Sequence, residues 1–301
     1  MADKRDVTVE VRVPLSVDDR ALERPGIVRG WDSARARRYA QAVVAEIEAN
    51  AGQFDDCRVK AIALDGGIAS NAGAGVATIV RALRRTCEIE EDAPVTMRAS
   101  IANVSGATMP FFRRARVSRF DFEMLSLNPV DFTVLNRVDN LNDLPIICDH
   151  FLHSYANDSL GFVFAYGHAA PKGSDGMLNV RRTALAAARS HASHVRLVRC
   201  AGAMAVSDEE AARQFDEMCS VLVDAGFSTY ENGLFARPGK EDRFELMRAR
   251  GADSLGFGAG AVTRLEGVES VNTNDFERYC ARSADFAAIT ESVHSVEARP
   301  A

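Results

Sequence analysis

The first stretch of the chain alternates apolar and polar residues in the manner of a strand. Val7, Val9, Val11 and Val13 are separated by polar or charged residues, and a period of two is typical of a half-buried β-strand. The alternation stops at Pro14, a residue that is tolerated where a strand ends because it cannot donate a ladder hydrogen bond. The pattern therefore predicts a first strand followed by a polar loop.

Similar segments recur along the chain and alternate with segments of helical period. Apolar runs predict further strands at residues 59–64, 94–101, 118–125, 160–166 and 194–200. Residues of helical spacing predict helices at 32–50, 73–86, 106–115, 141–155, 175–193 and 208–225. Strand–helix units in succession favour a parallel sheet with right-handed crossovers. Because the pattern changes after six units rather than eight, we expect an α/β protein with an incomplete (β/α)6 TIM-like barrel.

The remainder of the chain has a different character. It predicts an aromatic strand (FSTYENGLF), a charged helix, a Gly-rich strand (SLGFGAGA) and a last helix, at residues 227–235, 240–250, 254–261 and 275–289. We expect a partial barrel over residues 1–226 and a small C-terminal α/β extension over residues 227–292. We expect residues 293–301 to form a disordered tail, as chain ends commonly do.

Charge and cysteine usage restrict the partners and the compartment. The net charge of −6 argues against a nucleic-acid partner, because phosphate binding depends on surplus Lys and Arg. No apolar run approaches the roughly 20 residues that cross a bilayer, and the start MADKRDVTVE lacks the apolar core of a signal peptide. We therefore expect a cytoplasmic protein without a membrane partner. The six cysteines form no CxxC or CxxxCxxC motif, which favours reduced core thiols; they are Cys57, Cys87, Cys148, Cys200, Cys219 and Cys280.

The C-terminal segments, taken in order, resemble a known family. They comprise GFSTYE at 226–231, FARPG at 235–239, LGFGAGA at 255–261, Asn272 and Tyr279. With the order of the elements, they are similar to radical S-adenosylmethionine (SAM) enzymes of the oxygen-independent coproporphyrinogen III oxidase type, a group that includes heme chaperones and heme-degrading relatives. The resemblance covers nearly the whole chain and depends on the combination, since LGFGAGA alone is a weak signal.

The resemblance implies an iron–sulfur site just after the first strand, and this chain departs from it. Such enzymes bind a [4Fe–4S] cluster there with CxxxCxxC, and that spacing falls on Ser16, Arg20 and Glu23. A hydroxyl, a guanidinium and a carboxylate cannot replace three thiolates, and the cluster supplies the electron for the radical reaction. We therefore expect no [4Fe–4S] cluster and no metal at these positions.

The positions that contact SAM in the family are also changed. Of its GGGT turn, Gly66 and Gly67 remain, and its arginine after the fourth strand matches Arg137. These three residues are the residual SAM-type positions. The Glu, Gln and Asp that the resemblance implies on the third, fourth and fifth strands are replaced by Arg98, Leu125 and, approximately, Val163.

Histidines supply further candidate ligand-binding residues. In CDHFLH, His150 and His153 would share a helix face and could reach one metal or heme iron, or they could line the edge of a packed helix. His168 follows the strand at 160–166, at the end of the barrel where such folds bind ligands; the alternative is an exposed loop histidine. His191 and His194 repeat the spacing, but their place at a predicted helix end suits the helix dipole.

Charged residues around the predicted fourth strand are candidates as well. In a tetrapyrrole-binding relative, Arg119 and the preceding arginines could hold propionates by paired hydrogen bonds, although such a run is also typical of a solvated helix end. Asp121 and Glu123 alternate with aromatic residues. They could perform acid–base chemistry or form an ion pair with Arg98 on the adjacent strand, and we favour the ion pair.

Two functions are compatible with these observations. The first is a pseudoenzyme without catalytic residues, which binds a tetrapyrrole such as heme or another small anionic ligand, or acts as the partner of an active radical SAM homologue. The second is an enzyme that still binds SAM and performs non-radical chemistry such as methyl transfer. No GxSxG, HExxH or Walker A motif is present, so hydrolase, zinc-protease and P-loop functions have no support.

Overall fold

The architecture is a mixed β-sheet flanked by helices, seen in a computed structural model that describes residues 4–16, 22–137, 141–154 and 159–296. The strands of the described residues are β1 (Arg5–Arg12), β2 (Cys57–Asp65), β3 (Glu88–Ile89), β4 (Val95–Ala99), β5 (Arg119–Leu125), β6 (Ser159–Tyr166), β7 (His194–Arg199), β8 (Ser228–Glu231), β9 (Leu234–Ala236), β10 (Ser254–Phe257), β11 (Val262–Leu265), β12 (Val268–Asn272) and β13 (Thr290–Ser295). The helices are α1 (Ser33–Ala49), α2 (Ala74–Thr86), α3 (Met109–Arg114), α4 (Phe132–Leu135), α5 (Leu144–Ser154), α6 (Gly176–Arg189), α7 (Asp208–Asp224), α8 (Arg243–Ala249), α9 (Phe276–Arg282) and α10 (Phe286–Ile289). Within this part of the chain, no helix is both long and apolar enough to cross a membrane.

The strand order confirms the incomplete barrel. The strands follow the order β13-β12-β11-β10-β1-β2-β4-β5-β6-β7-β9-β8, with β3 beside β2. The seven strands from β10 to β7 are parallel to their neighbours. Antiparallel strands continue the sheet beyond β10 and beyond β7, so the sheet is not closed. The carboxyl ends of the parallel strands therefore lie together along one edge of the partial barrel.

Strand β5 shows why the sequence forms a central strand of this sheet. All seven of its residues are buried. The ring of Phe120 makes edge-to-face contacts with Phe112 of α3 and with Phe151 of α5. Asp121 and Glu123 alternate with the aromatic residues of the strand and face the barrel interior. Both faces of the strand are thus covered, as expected for a parallel sheet with helices on its outside.

Two parts of the C-terminal segment differ from the sequence-based prediction. The predicted strand at 227–235 is a hairpin of β8 and β9, because Gly233 adopts a positive φ of 72° and turns the chain back. The predicted disordered tail is wrong for its first residues, because Val293 and His294 of β13 pair with Ser270 and Glu269 of β12. Residues 297–301 of that predicted tail lie outside the described residues.

A buried carboxylate joins the C-terminal extension to the barrel. Glu46 of α1 is 3% exposed and accepts hydrogen bonds from the backbone N–H of Gly258 (2.8 Å), from Asn272 Nδ2 (2.6 Å) and from the hydroxyl of Tyr279. Burial raises the pKa of Glu46 to about 7, although these three hydrogen bonds favour the ionised form. The Gly-rich segment, Asn272 and Tyr279, which suggested the family resemblance, therefore meet at one side chain.

The Gly-rich segment needs its glycine at this junction. A Cβ on Gly258 would lie 2.4 Å from the backbone oxygen of Arg12 and 2.7 Å from the hydroxyl of Tyr39. That hydroxyl donates to Arg12 O (2.7 Å) and accepts from Ala259 N (2.8 Å). The close approach explains the glycine by backbone packing against the end of β1.

Candidate functional site

The loop after β1 carries the positions that the family resemblance assigns to cluster ligands. Ser16 is fully buried, and its Oγ has no hydrogen-bond partner among the described residues. Glu23 is exposed, and Arg20 lies outside the described residues. A buried hydroxyl and an exposed carboxylate do not supply the thiolates that iron–sulfur clusters take. These residues therefore do not fit a cluster bound in the CxxxCxxC manner.

Gly66 and Gly67 lie at the carboxyl end of β2, as predicted, and the fold itself requires both. Gly66 adopts a φ of 88°, a conformation that side chains disfavour. A Cβ on Gly67 would lie 2.6 Å from the backbone oxygen of Val13 and 3.0 Å from the backbone nitrogen of Leu15. The positive φ of Gly66 and the close approach of Gly67 to the loop after β1 thus account for these glycines without a bound ligand.

An arginine of β4 occupies the space beside this turn. Arg98 is 6% exposed, and its Nη2 donates to Asp65 Oδ2 at 2.9 Å. Burial opposes ionisation of Asp65, but the guanidinium groups of Arg98, Arg196 and Arg24 outweigh it and hold the pKa of Asp65 at about 2. The position that the resemblance implies for a SAM-contacting glutamate is therefore a cation that is paired inside the barrel.

Glu123 of β5 is the centre of a second set of ion pairs. Its side chain is fully buried, with Arg98 Nη1 at 3.5 Å from Oε2 and Arg24 bonded to the same oxygen. Arg137, 9% exposed, donates its Nη2 to the backbone oxygen of Glu123 at 2.8 Å. The predicted pair between Glu123 and Arg98 is present, whereas the participation of Arg24, from the loop after β1, could not be read from the sequence.

Asp121 forms the next layer of charge toward the amino ends of the strands. Its Oδ1 lies 2.6 Å from Nε2 of His194, and Arg119 Nε and Arg196 Nε each lie 3.7 Å from its carboxylate. Burial opposes ionisation of Asp121, but His194 and these guanidinium groups outweigh it and hold the pKa well below its ordinary value. His194 is the first residue of β7 and 2% exposed, so it belongs to the strand predicted at residues 194–200, and its imidazole pairs with Asp121.

Apolar side chains close the barrel above the charged layers. Leu22 from the loop after β1 is 6% exposed and packs with strand and helix residues in a group that we name the mouth cluster; its members are Leu22, Leu125, Leu135, Ala165 and Cys200. Leu125, where the resemblance implies a SAM-contacting glutamine, has no exposed surface. The resemblance implies that the loop after β1 holds the iron–sulfur cluster in the family. In this chain the same loop inserts Leu22 and Arg24 into the barrel.

A small cavity lies between the charged layers. A cavity of about 20 Å³ lies among residues that include Glu10, Asp65, Arg98, Asp121 and Arg196. This volume holds roughly one water molecule. The part of the interior lined by these residues therefore has no room for SAM unless side chains move. Among the described residues, no three His, Cys, Asp or Glu side chains are grouped to hold a metal ion.

The structure does not bring the other predicted ligand-binding residues together. His168 is 1% exposed and its Nδ1 lies 3.2 Å from the Ala169 carbonyl oxygen, so the alternative of an exposed loop histidine is wrong, whereas its contact with a ligand stays a prediction. His153 is on an exposed face of α5, with Nδ1 at 3.2 Å from Asp149, and the side chain of His150 lies outside the described residues. Arg119 lies at the opposite end of the barrel, where its Nη1 donates to Lys240 O at 2.6 Å.

The fold is similar to that of radical SAM enzymes. Coproporphyrinogen III oxidase from Escherichia coli, a radical SAM enzyme, superposes with a TM-score of 0.83 at 15% identity, covering 98% of this chain and 73% of that chain. The similarity is weaker for HydG, a maturase of the [FeFe]-hydrogenase (TM-score 0.42, 8% identity, 73% and 50% coverage), and for methylornithine synthase (TM-score 0.43, 6% identity, 73% and 64% coverage). No family model and no curated protein matches the sequence. At 15% identity, the comparison establishes the fold alone.

Proposed function

We propose that this chain, which has the fold of the radical SAM enzymes, is a non-catalytic binding protein that works without an iron–sulfur cluster and without SAM. The observation that carries the proposal is the pairing of Arg98 with Asp65 and Glu123 in the barrel interior. A buried cation that loses its counter-charges is strongly destabilised. SAM carries a positive charge on its sulfonium. To bind in the barrel interior beside Arg98, it would have to displace these ion pairs.

The residual SAM-type positions do not favour the alternative of a SAM-dependent methyl transferase. Gly66 has a structural explanation in its positive φ, and Gly67 in the close approach of the loop after β1. The guanidinium group of Arg137 contacts Glu123. Non-radical methyl transfer from SAM is therefore the alternative function that the experiment must exclude.

The test combines metal analysis with SAM titration. The purified protein is reconstituted anaerobically with iron and sulfide, and its metal content and visible spectrum are measured. We expect no stoichiometric cluster. A stoichiometric iron–sulfur centre would refute the proposal, and Cys200→Ser would then show whether Cys200, the cysteine of the mouth cluster, is one of its ligands.

Titration calorimetry with SAM and a thermal unfolding series complete the test. We expect neither heat nor a rise in Tm, since a ligand that binds only the native state must stabilise it. Saturable SAM binding would overturn the proposal and support the methyl-transfer function.

Among the ligands expected from the sequence, we favour a small anion over a tetrapyrrole. His168 is buried with Nδ1 against the Ala169 carbonyl oxygen, and His153 is on an exposed helix face. Heme titration should therefore give no spectrum of axial histidine ligation, and such a spectrum would favour the tetrapyrrole. Partnership with an active radical SAM homologue stays a prediction.

A further inference from the structure

A second cavity lies at the end of the barrel opposite to the mouth cluster. Its volume is about 240 Å³, and it is bounded by the starts of β4 and β5 and by the loop that leads into α8. Its lining residues are Asp92, Pro94, Ser118, Arg119 and the segment 239–243. Catalytic sites of barrel enzymes lie at the carboxyl ends of the strands, so this cavity is separate from the region described above.

Most of the charges around this cavity are already paired. Arg243 binds Asp92 at 2.9 Å and Glu90 at 3.0 Å. Glu241 accepts a hydrogen bond from the backbone N–H of Gly239 at 3.3 Å. These groups are therefore not available to a ligand without the loss of an existing contact.

Arg119 holds the far wall of the cavity in place. It is 6% exposed, and its Nη1 donates to the backbone oxygen of Lys240 at 2.6 Å. Its Nε is buried without a hydrogen-bond partner among the described residues, at 3.5 Å from a carboxylate oxygen of Asp242. Burial raises the pKa of Asp242 despite the opposing effect of the nearby Arg119.

Two donors remain unused at the cavity. The half-buried Lys240 has no ion pair or side-chain hydrogen bond to any residue in the described ranges. Ser118, also half-buried, accepts from Val95 N at 3.3 Å through its Oγ, and its hydroxyl proton has no acceptor in the same ranges. Both residues line the cavity, and an ammonium and a hydroxyl are donors that can hold a phosphate or carboxylate.

We propose that the cavity at the amino ends of β4 and β5 binds the phosphate or carboxylate group of a small molecule through Lys240 and Ser118. This cavity would be the binding site of the small anion that the proposed function requires, and the inference therefore rests on that proposed function. Its volume is below the roughly 300–1,000 Å³ of sites for drug-sized ligands, so the ligand is smaller than a tetrapyrrole.

Titration calorimetry of the full chain tests this site with inorganic phosphate, and acetate and succinate in parallel identify the preferred anion. Lys240→Gln should weaken binding of the preferred anion by about tenfold or more, since a hydrogen bond to a charged group carries about that much affinity. Ser118→Ala should weaken it by a smaller factor. The matched control is Lys172→Gln, which removes the same charge from an exposed loop and should leave the affinity unchanged.

Absence of binding by all three anions would overturn the site, as would equal affinities of Lys240→Gln and Lys172→Gln. Urea unfolding midpoints of the variants show whether each is folded, and neither lysine substitution removes an ion pair or a side-chain hydrogen bond among the described residues. The iron and sulfide content of the same preparation separates the two proposals. A stoichiometric cluster together with Lys240-dependent anion binding would refute the cluster-free function and support the site.

Discussion

Substitution of Glu46 by glutamine should remove a pH dependence of stability that the fold creates at the junction of the barrel and the C-terminal extension. The carboxyl is buried under Gly258, Asn272 and Tyr279, and burial raises its pKa from 4.5 to about 7. Tyr39 and Tyr279, which face it, have pKa values raised well above 10, so both stay neutral in the range considered.

Proton linkage gives the sign and the size of the contribution of Glu46 to the free energy of unfolding. Between pH 4.5 and about 7 the folded chain holds a proton on Glu46 that the unfolded chain has released, so the free energy of unfolding falls as pH rises. One pKa unit corresponds to about 1.4 kcal/mol, and this shift corresponds to about 3 kcal/mol. The contribution is complete below pH 4.5 and absent above pH 7.

Urea unfolding of wild type and Glu46→Gln at a series of pH values measures this contribution. The free energy of unfolding of wild type, relative to that of Glu46→Gln, should decrease by about 3 kcal/mol from pH 4.5 to 7.5, because glutamine does not titrate. The control is Glu48→Gln on the same helix, which removes a surface ion pair with Arg85 and should change stability by less than about 1 kcal/mol. Parallel pH profiles of wild type and Glu46→Gln would refute the reasoning, as would an advantage that grows with pH.

Three further predictions concern the barrel. Glu123→Gln leaves the surrounding guanidinium groups without their counter-charge, and should lower the free energy of unfolding by about 3–5 kcal/mol in urea. Asp65 has a pKa of about 2 and a side chain that is 31% exposed. Its ionised form should contribute about 1–2 kcal/mol to the free energy of unfolding, fully above pH 4 and progressively less toward pH 2. Asp65→Asn should lack this acid-dependent loss. Gly67→Ala places a Cβ 2.6 Å from the backbone oxygen of Val13 and should destabilise by about 1–3 kcal/mol, whereas Gly52→Ala, with nothing within 4 Å, should not lower the thermal midpoint.

Local patterns were sufficient for most of the fold. The alternation of valines located β1, and the helical spacing of residues 32–50 located α1, whose first turn is capped by the side chain of Asp32. The last helix was predicted as one element, yet α9 ends at Arg282 and Asp285 caps a separate α10. Periodicity did not show this break, because the apolar residues of both pieces continue a helical spacing.

The contacts inside the barrel were only partly accessible from the sequence. The pair of Arg98 and Glu123 was expected because the two residues lie on strands that were predicted to be adjacent. The contributions of Arg24, His194 and Glu46 depend on how distant segments meet in space, and no short-range pattern indicates them. The sole local signal for Glu46 was a charged residue on the apolar face of α1, beside Val43 and Ile47.

The layering of the interior explains how so much charge is tolerated there. Buried ion pairs lose hydration that their mutual attraction only partly restores, and an apolar interior of equal volume is often at least as stable. The pairs around Glu123 become favourable only where water is excluded and each carboxylate meets several guanidinium groups. The mouth cluster supplies that exclusion on one side, since Leu22 and Leu125 cover the layer that contains Arg98. The same loop also contributes Arg24 to the charged layer. Binding of any ligand at the carboxyl ends of the strands would therefore have to displace apolar cover and ion pairs together, and this coupling is why we assign the ligand to the other end of the barrel.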